Sequence, residues 1–302
     1  MLKVGVIGLG DIAQKAYLPV YNGMKDVEFH FYTRNQHKLR LLGKQFRYEK
    51  LYASLESLME SGIAAAFVHS STDSHEEIVG KLLEHNIHVF VDKPITDNYE
   101  STKRLVKMAN EKDLILMTGF NRRYAPTIMR LKEMDRPNLI LVQKNRHNQP
   151  GKPRTFVYDD FIHVVDTMRY LFPYPIEDIV VNGRKMKDEL YHLVVQFISP
   201  EATAIGIMNR DNGSREEIAE VMGPYEKRTV YNVSDLVISK GGETVKIHKN
   251  DWEPTLLTRG FVNMVVDFIH AVHVHSTPKI TANDALVTHK ICEEIMGKLE
   301  KL

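Results

Sequence analysis

Lys3-Val4-Gly5-Val6-Ile7-Gly8-Leu9-Gly10-Asp11-Ile12-Ala13 is the stretch that decides the fold. Its first half is an apolar run with the character of a buried strand. The second half spells G-x-G-x-x-A, and Gln14, Ala16, Leu18 and Val20 continue as an amphipathic stretch. A strand, a glycine turn and a helix start, in that order, let a helix N-terminus receive a pyrophosphate. Gly8 permits the tight turn, Gly10 lets the backbone approach the phosphates, and Ala13 is small enough for the helix to pack on the strand. Asp11 and Ile12 lie inside the turn and join the candidate cofactor contacts. The plain alternative is a buried β-turn in an unrelated α/β protein.

Outward from this stretch, short apolar runs alternate with helical patterns as far as residue 118. Strands are expected at Leu2–Ile7, Glu28–Tyr32, Ala64–His69, His88–Val91 and Leu114–Thr118, with helices beginning near Ile12, Gln36, Ser54, Ser74 and Asp97. Strands with little alternation, separated by helices, imply a parallel sheet covered on both faces. After Gly119 the pattern changes. A helix near Pro126–Glu133, a strand at Leu139–Asn145 and a helix over Phe161–Leu171 precede seven period-two segments: Glu177–Asn182, Tyr191–Ile198, Ala202–Met208, Glu217–Met222, Thr229–Val233, Leu236–Ser239 and Thr244–Ile247. Two helices, Thr255–Val274 and Asn283–Leu299, close the chain. The fold class is therefore α/β: a doubly wound parallel Rossmann domain over residues 1–118, then an α+β domain on a mostly antiparallel open sheet over residues 119–302.

The bulk numbers exclude several function classes. The chain has 302 residues, 43% of them hydrophobic and 26% charged, which suits two soluble globular domains. Forty Lys and Arg against 39 Asp and Glu leave +1, so neither nucleic acid nor an anionic membrane is expected as the main partner. Cys292 is the single cysteine, which fits a reducing compartment, and its helical spacing from Ile295 reads as a packed thiol. No apolar run reaches the length of a membrane span, and no signal peptide is expected, so the cytoplasm is the expected location.

The second strand ends Phe31-Tyr32-Thr33-Arg34, where an acidic residue is expected to hold the adenosine ribose. A carboxylate there repels a 2′-phosphate; a hydroxyl beside a guanidinium accepts one. Thr33 and Arg34 thus favour NADP(H) over NAD(H), the alternative being an Arg34 that lies in solvent. Lys93 follows Val91-Asp92 at the carboxyl end of the fourth expected strand. There it can steady a developing alkoxide, or it is simply a solvated lysine before a helix capped by Thr96 or Asp97. In Tyr158-Asp159-Asp160-Phe161-Ile162-His163-Val164-Val165-Asp166, helical spacing lets one face carry Asp159, His163 and Asp166. An Asp that orients a His is the usual general-base arrangement; a capped helix start with an incidental His is the alternative, and a metal site ranks last because no further ligand set is evident.

These residues resemble the Gfo/Idh/MocA oxidoreductases, mostly NAD(P)-dependent sugar, inositol and polyol dehydrogenases. The resemblance rests on Gly8–Ala13, on His69-Ser70-Ser71-Thr72-Asp73-Ser74-His75, on Asp92-Lys93-Pro94, on Gly119-Phe120-Asn121-Arg122-Arg123-Tyr124 and on the D-x-x-x-H-x-x-D run from Asp159 to Asp166. Within the family the chain looks most like the MviM subgroup, a label that names no chemistry. The resemblance implies that Lys93 sits by the nicotinamide and substrate, and that Asp159 and His163 handle the proton. It also implies self-association through the second sheet, so a homo-oligomer is expected. Two departures stand out: Asp92 replaces the usual Glu, and Asp160-Phe161 replace an apolar residue and a glycine, which implies a fuller and more acidic pocket.

Ser70, Ser71 and Thr72 are candidates to line the nicotinamide side. His75 belongs to the same family motif, although residue type alone points to a surface histidine. Asn121 is a candidate cofactor contact. Arg122 or Arg123 can clamp a substrate or form an interdomain ion pair, and Arg146, His147 and Asn148 can reach the pocket from the second domain. Trp252 suits packing or stacking on a sugar ring. The activity expected is hydride transfer between a nicotinamide and a secondary alcohol of a small sugar or polyol, with Lys93, His163 and Asp159 as catalytic residues and no metal. Alternatives are a non-catalytic dinucleotide-dependent sensor and a net hydrolysis or elimination through transient oxidation.

Overall fold

The computed structural model describes residues 1–301, which gather into two compact units. Met1–Gly119 and Phe261–Val287 make the first; Phe120–Gly260 and the chain from Thr288 onward make the second. The first crossing lies beside the expected boundary, but the expected second domain does not run unbroken to the end. Helix Phe261–Val274 explains why. Its Phe268 ring lies 5.0 Å from Phe67 and 5.7 Å from Phe90, and Phe261 meets the edge of Tyr17 at 5.4 Å. Burying one such ring is worth about 1.5–3 kcal/mol, so the aromatic core of the first unit claims this late helix.

In the first unit six parallel strands are ordered β3-β2-β1-β4-β5-β6: β1 Leu2–Ile7, β2 Val27–Tyr32, β3 Leu51–Tyr52, β4 Ala65–Val68, β5 His88–Val91 and β6 Leu116–Thr118. Val4, Val6, Phe67, Val68, Val89 and Phe90 are fully buried, as the unbroken apolar runs require. The strand order reverses between β1 and β4, and in open α/β sheets ligands bind outside the carboxyl ends at that point. β3 was not expected: two residues give no period to detect. Lys93 therefore leaves the fifth strand, not the fourth. The helices start where side chains satisfy their first amides. Asn35 accepts from Lys38 N, Ser54 from Ser57 N, and Asn98 from Ser101 N; Asn98, rather than Thr96 or Asp97, caps Tyr99–Glu111.

The second unit is an eight-stranded sheet ordered β14-β13-β12-β11-β7-β10-β9-β8. Its strands are β7 Leu139–Asn145, β8 Asp178–Met186, β9 Glu189–Ile198, β10 Thr203–Asn209, β11 Glu216–Met222, β12 Lys227–Tyr231, β13 Asp235–Lys240 and β14 Glu243–Ile247. Only β7 and β10 pair in parallel. Ile140 and Val142 of β7, Ala204 of β10, and Ala219 and Val221 of β11 are buried on one face, and Val164 and Met168 of helix Ile162–Leu171 lie against Gly206 there.

Two helices differ from expectation. The one expected from Phe161 is preceded by a turn at Pro153–Thr155 and a wide π-type turn at Phe156–Phe161. The one expected over Thr255–Val274 is two, Thr255–Thr258 and Phe261–Val274, broken at Gly260. Gly260 has φ +80°, and a Cβ on it would lie 2.7 Å from Ala125 N, so only glycine fits. Among the described residues no helix is long and apolar enough to cross a membrane. Cys292 is buried, and burial pushes its thiol well up, which makes it a packing residue.

Candidate functional site

In the first unit the candidate site is the carboxyl edge of β1, β4 and β5. Gly8 adopts φ +88°, and a Cβ there would lie 2.5 Å from Ser70 N, so the turn after β1 is pressed against the turn after β4. At Gly10 the nearest atom to such a Cβ is His69 O at 4.0 Å, so the outer side of the turn is open to an approaching group. Ala13 is fully buried, while Asp11 and Ile12 are exposed, with Asp11 2.8 Å from Lys15 Nζ. Gln14 Nε2 donates to the carbonyls of Leu9 and Gly10 at 2.9 and 3.2 Å, holding the turn from its helix side. A tight turn with an open outer side is the cradle a pyrophosphate needs.

Thr33 is half-buried and Arg34 exposed past the end of β2. After β4, Ser71 is exposed, Thr72 is half-buried, and Ser70 Oγ accepts from Ser74 Oγ at 2.8 Å. His75 is not at the surface. It is 1% exposed, with Nδ1 2.9 Å from Pro94 O and Nε2 3.1 Å from Ser70 O. It ties the turn after β4 to the Lys93–Pro94 turn after β5.

Beneath these turns lies an aromatic and polar layer that the sequence reading missed. Tyr17 stacks on His69 at 3.9 Å and donates to Asp92 Oδ1 at 3.3 Å, the same oxygen that accepts from Lys93 N at 2.9 Å. Tyr21 Oη lies 2.7 Å from His69 Nε2. Burial brings His69 down to about 3, leaving a neutral ring, and pushes the Asp92 carboxyl up, against the pull of the Lys93 charge. The available signal was Tyr17 and Tyr21, one helical turn apart and therefore on one face.

In the second unit the candidate site is one end of the helix-covered sheet face, where side chains change from apolar to charged. Along β7 and just beyond it, Ile140, Val142, Lys144 and Arg146 share that face by alternation, and Glu217 stands opposite Lys144 on β11. The π-type turn brings Asp160 down onto them. Asp160 lies 2.5 Å from Lys144 Nζ, 3.0 Å from Arg146 and 3.1 Å from Arg210. Burial alone would raise Asp160, but Lys144 and Arg146 hold the carboxyl well below the usual range. Burial, with the Arg122 and Arg146 guanidinia close by, brings Lys144 down to about 7. The acidic pocket expected from Asp160 is thus corrected: three cations surround that carboxylate.

Arg122 forms a two-pronged pair with Glu217, both bonds 2.9 Å, and its Nη1 sits 3.1 and 3.2 Å from the two ring nitrogens of His163. A guanidinium only donates, so the ring nitrogen it bonds is an unprotonated one. Arg123 pairs with Asp166 at 2.6 and 2.9 Å, and Asp166 also accepts from Thr288. Both arginine pairs lie within the second unit rather than between domains, and Asp166 serves Arg123. The Asn121 amide is engaged by Arg122 at 2.9 Å and the Arg259 carbonyl at 2.8 Å. Asp159 and Arg146 are half-buried, while His147 and Asn148 are exposed. Trp252, 94% exposed, packs on nothing. Lys144, Arg210 and Glu217 were missed; a lysine at an inward position of a central strand was the one signal the sequence offered. Among the described residues no three His, Cys, Asp or Glu side chains are grouped to hold a metal ion.

Comparison with known proteins agrees with both units. Residues 2–120 match the GFO_IDH_MocA oxidoreductase family, NAD-binding Rossmann fold, and residues 126–241 match the YceM-like C-terminal domain. YceM of Salmonella typhimurium, assigned as an oxidoreductase, is 30% identical over 97% of each chain. The myo-inositol 2-dehydrogenase of Thermotoga maritima is 27% identical, over 62% of this chain and 60% of that one. The crystal structure of a dehydrogenase (MviM) from Clostridium difficile superposes with a TM-score of 0.92 at 29% identity, covering 98% of this chain and 99% of that one. This chain belongs to the Gfo/Idh/MocA family of oxidoreductases.

Proposed function

We propose that the protein is an NADP(H)-preferring dehydrogenase that exchanges a hydride with a secondary alcohol of a sugar, polyol or related small molecule. The observation that carries this reading is the open-sided Gly8–Gly10 turn at the strand-order reversal, with Lys93 leaving β5 on the same carboxyl edge. The Gly8–Ala13 turn would hold the pyrophosphate, Thr33 and Arg34 the ribose with its 2′-phosphate, and Ser70, Ser71 and Thr72 the nicotinamide side. The bound nicotinamide supplies the hydride chemistry. The chain supplies the rest: the Lys93 ammonium steadies the substrate oxygen, His163 takes the hydroxyl proton once Arg122 gives up the ring nitrogen it bonds, and Asp159 orients the ring. Relatives named as inositol dehydrogenases support the substrate class. The first domain would thus bind cofactor and the second substrate, with the open sheet face, where Val180 and Met186 are exposed, serving self-association.

The test follows nicotinamide absorbance across a polyol and sugar panel with wild-type protein, Lys93→Ala and His163→Ala. General acid–base catalysis is worth roughly 100- to 10,000-fold, so turnover should fall by that much while dinucleotide binding persists. Undiminished turnover in both variants removes these roles. Tight dinucleotide binding with no redox change on any compound would make the protein a sensor.

A further inference from the structure

A charge cluster that serves only to fix a helix on a sheet is expected to balance, because an uncompensated buried cation is costly. The charged end of the second unit does not. By contact, Arg122, Lys144, Arg146 and Arg210 meet two paired carboxylates, Asp160 and Glu217, and counting Asp159 of the same helical turn still leaves four cationic side chains to three acidic ones. The surplus centres on Asp160, which pairs with Lys144, Arg146 and Arg210 at once. Arg210 Nε is buried without a hydrogen-bond partner, and its guanidinium lies 4.6 Å over the Phe156 ring. Arg146, with 32% of its side chain exposed, is the most accessible of these three cations. Burial first, and then the Arg122 and Arg146 charges, hold Lys144 down to about 7 against the pull of Asp160 and Glu217.

We propose that the ligand of this end carries an anionic group, a carboxylate or a phosphate on a polyhydroxylated body, and that Arg146 and Arg210 receive it. This rests on the dehydrogenase reading only in calling the ligand a substrate. Planar guanidinium forks match both oxyanions, so carboxylate and phosphate share the chemistry. The substrate class is then acidic sugars, sugar acids or sugar phosphates, rather than neutral polyols.

The experiment uses the full chain with NADP(H) and compares D-gluconate, D-glucuronate and D-glucose 6-phosphate with D-glucose and myo-inositol at equal ionic strength. Binding is read by calorimetry and turnover by nicotinamide absorbance. At least one acidic probe should bind roughly tenfold or more tightly than the neutral ones, and the acid that wins tells carboxylate from phosphate. Arg146→Gln should weaken that probe roughly 10- to 100-fold in Kd and KM with little change in kcat, and Arg146→Lys should recover part of the loss. Arg210→Gln stands in if Arg146→Gln does not fold. Neutral probes bound or turned over as well as acids, or acid binding indifferent to both substitutions, overturn the proposal while leaving the dehydrogenase intact. Acid binding lost in Arg146→Gln without redox change on any probe upholds the anion site and sinks the dehydrogenase reading. No binding of any acid overturns the proposal.

Discussion

The glycine-turn edge of the first unit and the charged end of the second are built from different materials. The first is made of backbone and small residues: Gly8 against Ser70 N, an open side at Gly10, and a neutral His69 beneath. The second is made of long side chains, with Arg122, Lys144, Arg146 and Arg210 arriving from a turn and from β7 and the loops that follow β7 and β10 to meet Asp160 and Glu217. A backbone-built site tolerates changes in most of its side chains and fails at its glycines. A charge-built site should fail when one partner of a buried pair is neutralised, because the other stays behind in low dielectric.

Glu217→Gln should therefore produce the largest stability loss. Arg122 and Glu217 are 12% and 20% exposed, and removing one charge of such a pair costs about 3–5 kcal/mol, with the Gln amide recovering part of it. In the first unit Asp11→Asn, which breaks an exposed pair with Lys15, should leave Tm unchanged. The contrast extends to pH. Burial pushes Glu217 up, but Arg122 brings it down to about 2 from an ordinary value of 4.5. A carboxyl whose folded value is depressed adds stability that is complete above 4.5 and lost as pH falls toward 2. Wild-type Tm should fall across that window more steeply than that of Glu217→Gln. Equal slopes would mean the pair contributes nothing and the comparison fails.

The same difference decides what the sequence could disclose. The glycine turn is contiguous, and each of its residues has a steric reason, so Gly8, Gly10 and Ala13 could be assigned their parts before any coordinates. Eight-stranded order and the boundaries of β7 followed from alternation only as far as strand existence; which strand lay beside which did not, since β7 pairs with β10 and β11 across more than sixty residues. The charged end depends on that pairing. Asp160 read as an acid in isolation became the hub of three cations once β7 and the loop after β10 lay beneath its helix. The surface reading of His75 by residue type failed for the matching reason: the two carbonyls it meets, of Ser70 and Pro94, are brought together only by the sheet. The break at Gly260 was hidden because apolar spacing continues through it, and only the left-handed φ ends the helix.

Gly8→Ala tests the backbone-built end. A Cβ at φ +88°, 2.5 Å from Ser70 N, forces apart the turns after β1 and β4. Strained backbone of this kind costs about 1–3 kcal/mol, so dinucleotide affinity should weaken roughly 10- to 100-fold in a binding titration. The acidic-probe binding assigned to the second unit should be far less affected. A parallel loss of both would mean that the two ends do not act as separately built sites.

The smallest effect is expected at Arg34, an exposed side chain at an end built largely of backbone and small residues. It is exposed, so its guanidinium should contribute only a modest charge-assisted bond to a 2′-phosphate, about 1.5 kcal/mol or roughly tenfold. Its field also reaches Asp73, a carboxyl held low first by the Ser71 hydroxyl, which shares Arg34 with any incoming phosphate. Arg34→Ala should shift the ratio of NADP to NAD affinity about tenfold toward NAD through loss of NADP binding, with NAD binding unchanged. Thr33→Asp should shift it further, by placing a carboxylate where the 2′-phosphate would lie. If both variants keep the wild-type ratio, Thr33 and Arg34 do not read the ribose. Cofactor choice would then lie in the backbone geometry of the turn, which sharpens the contrast with the charged end.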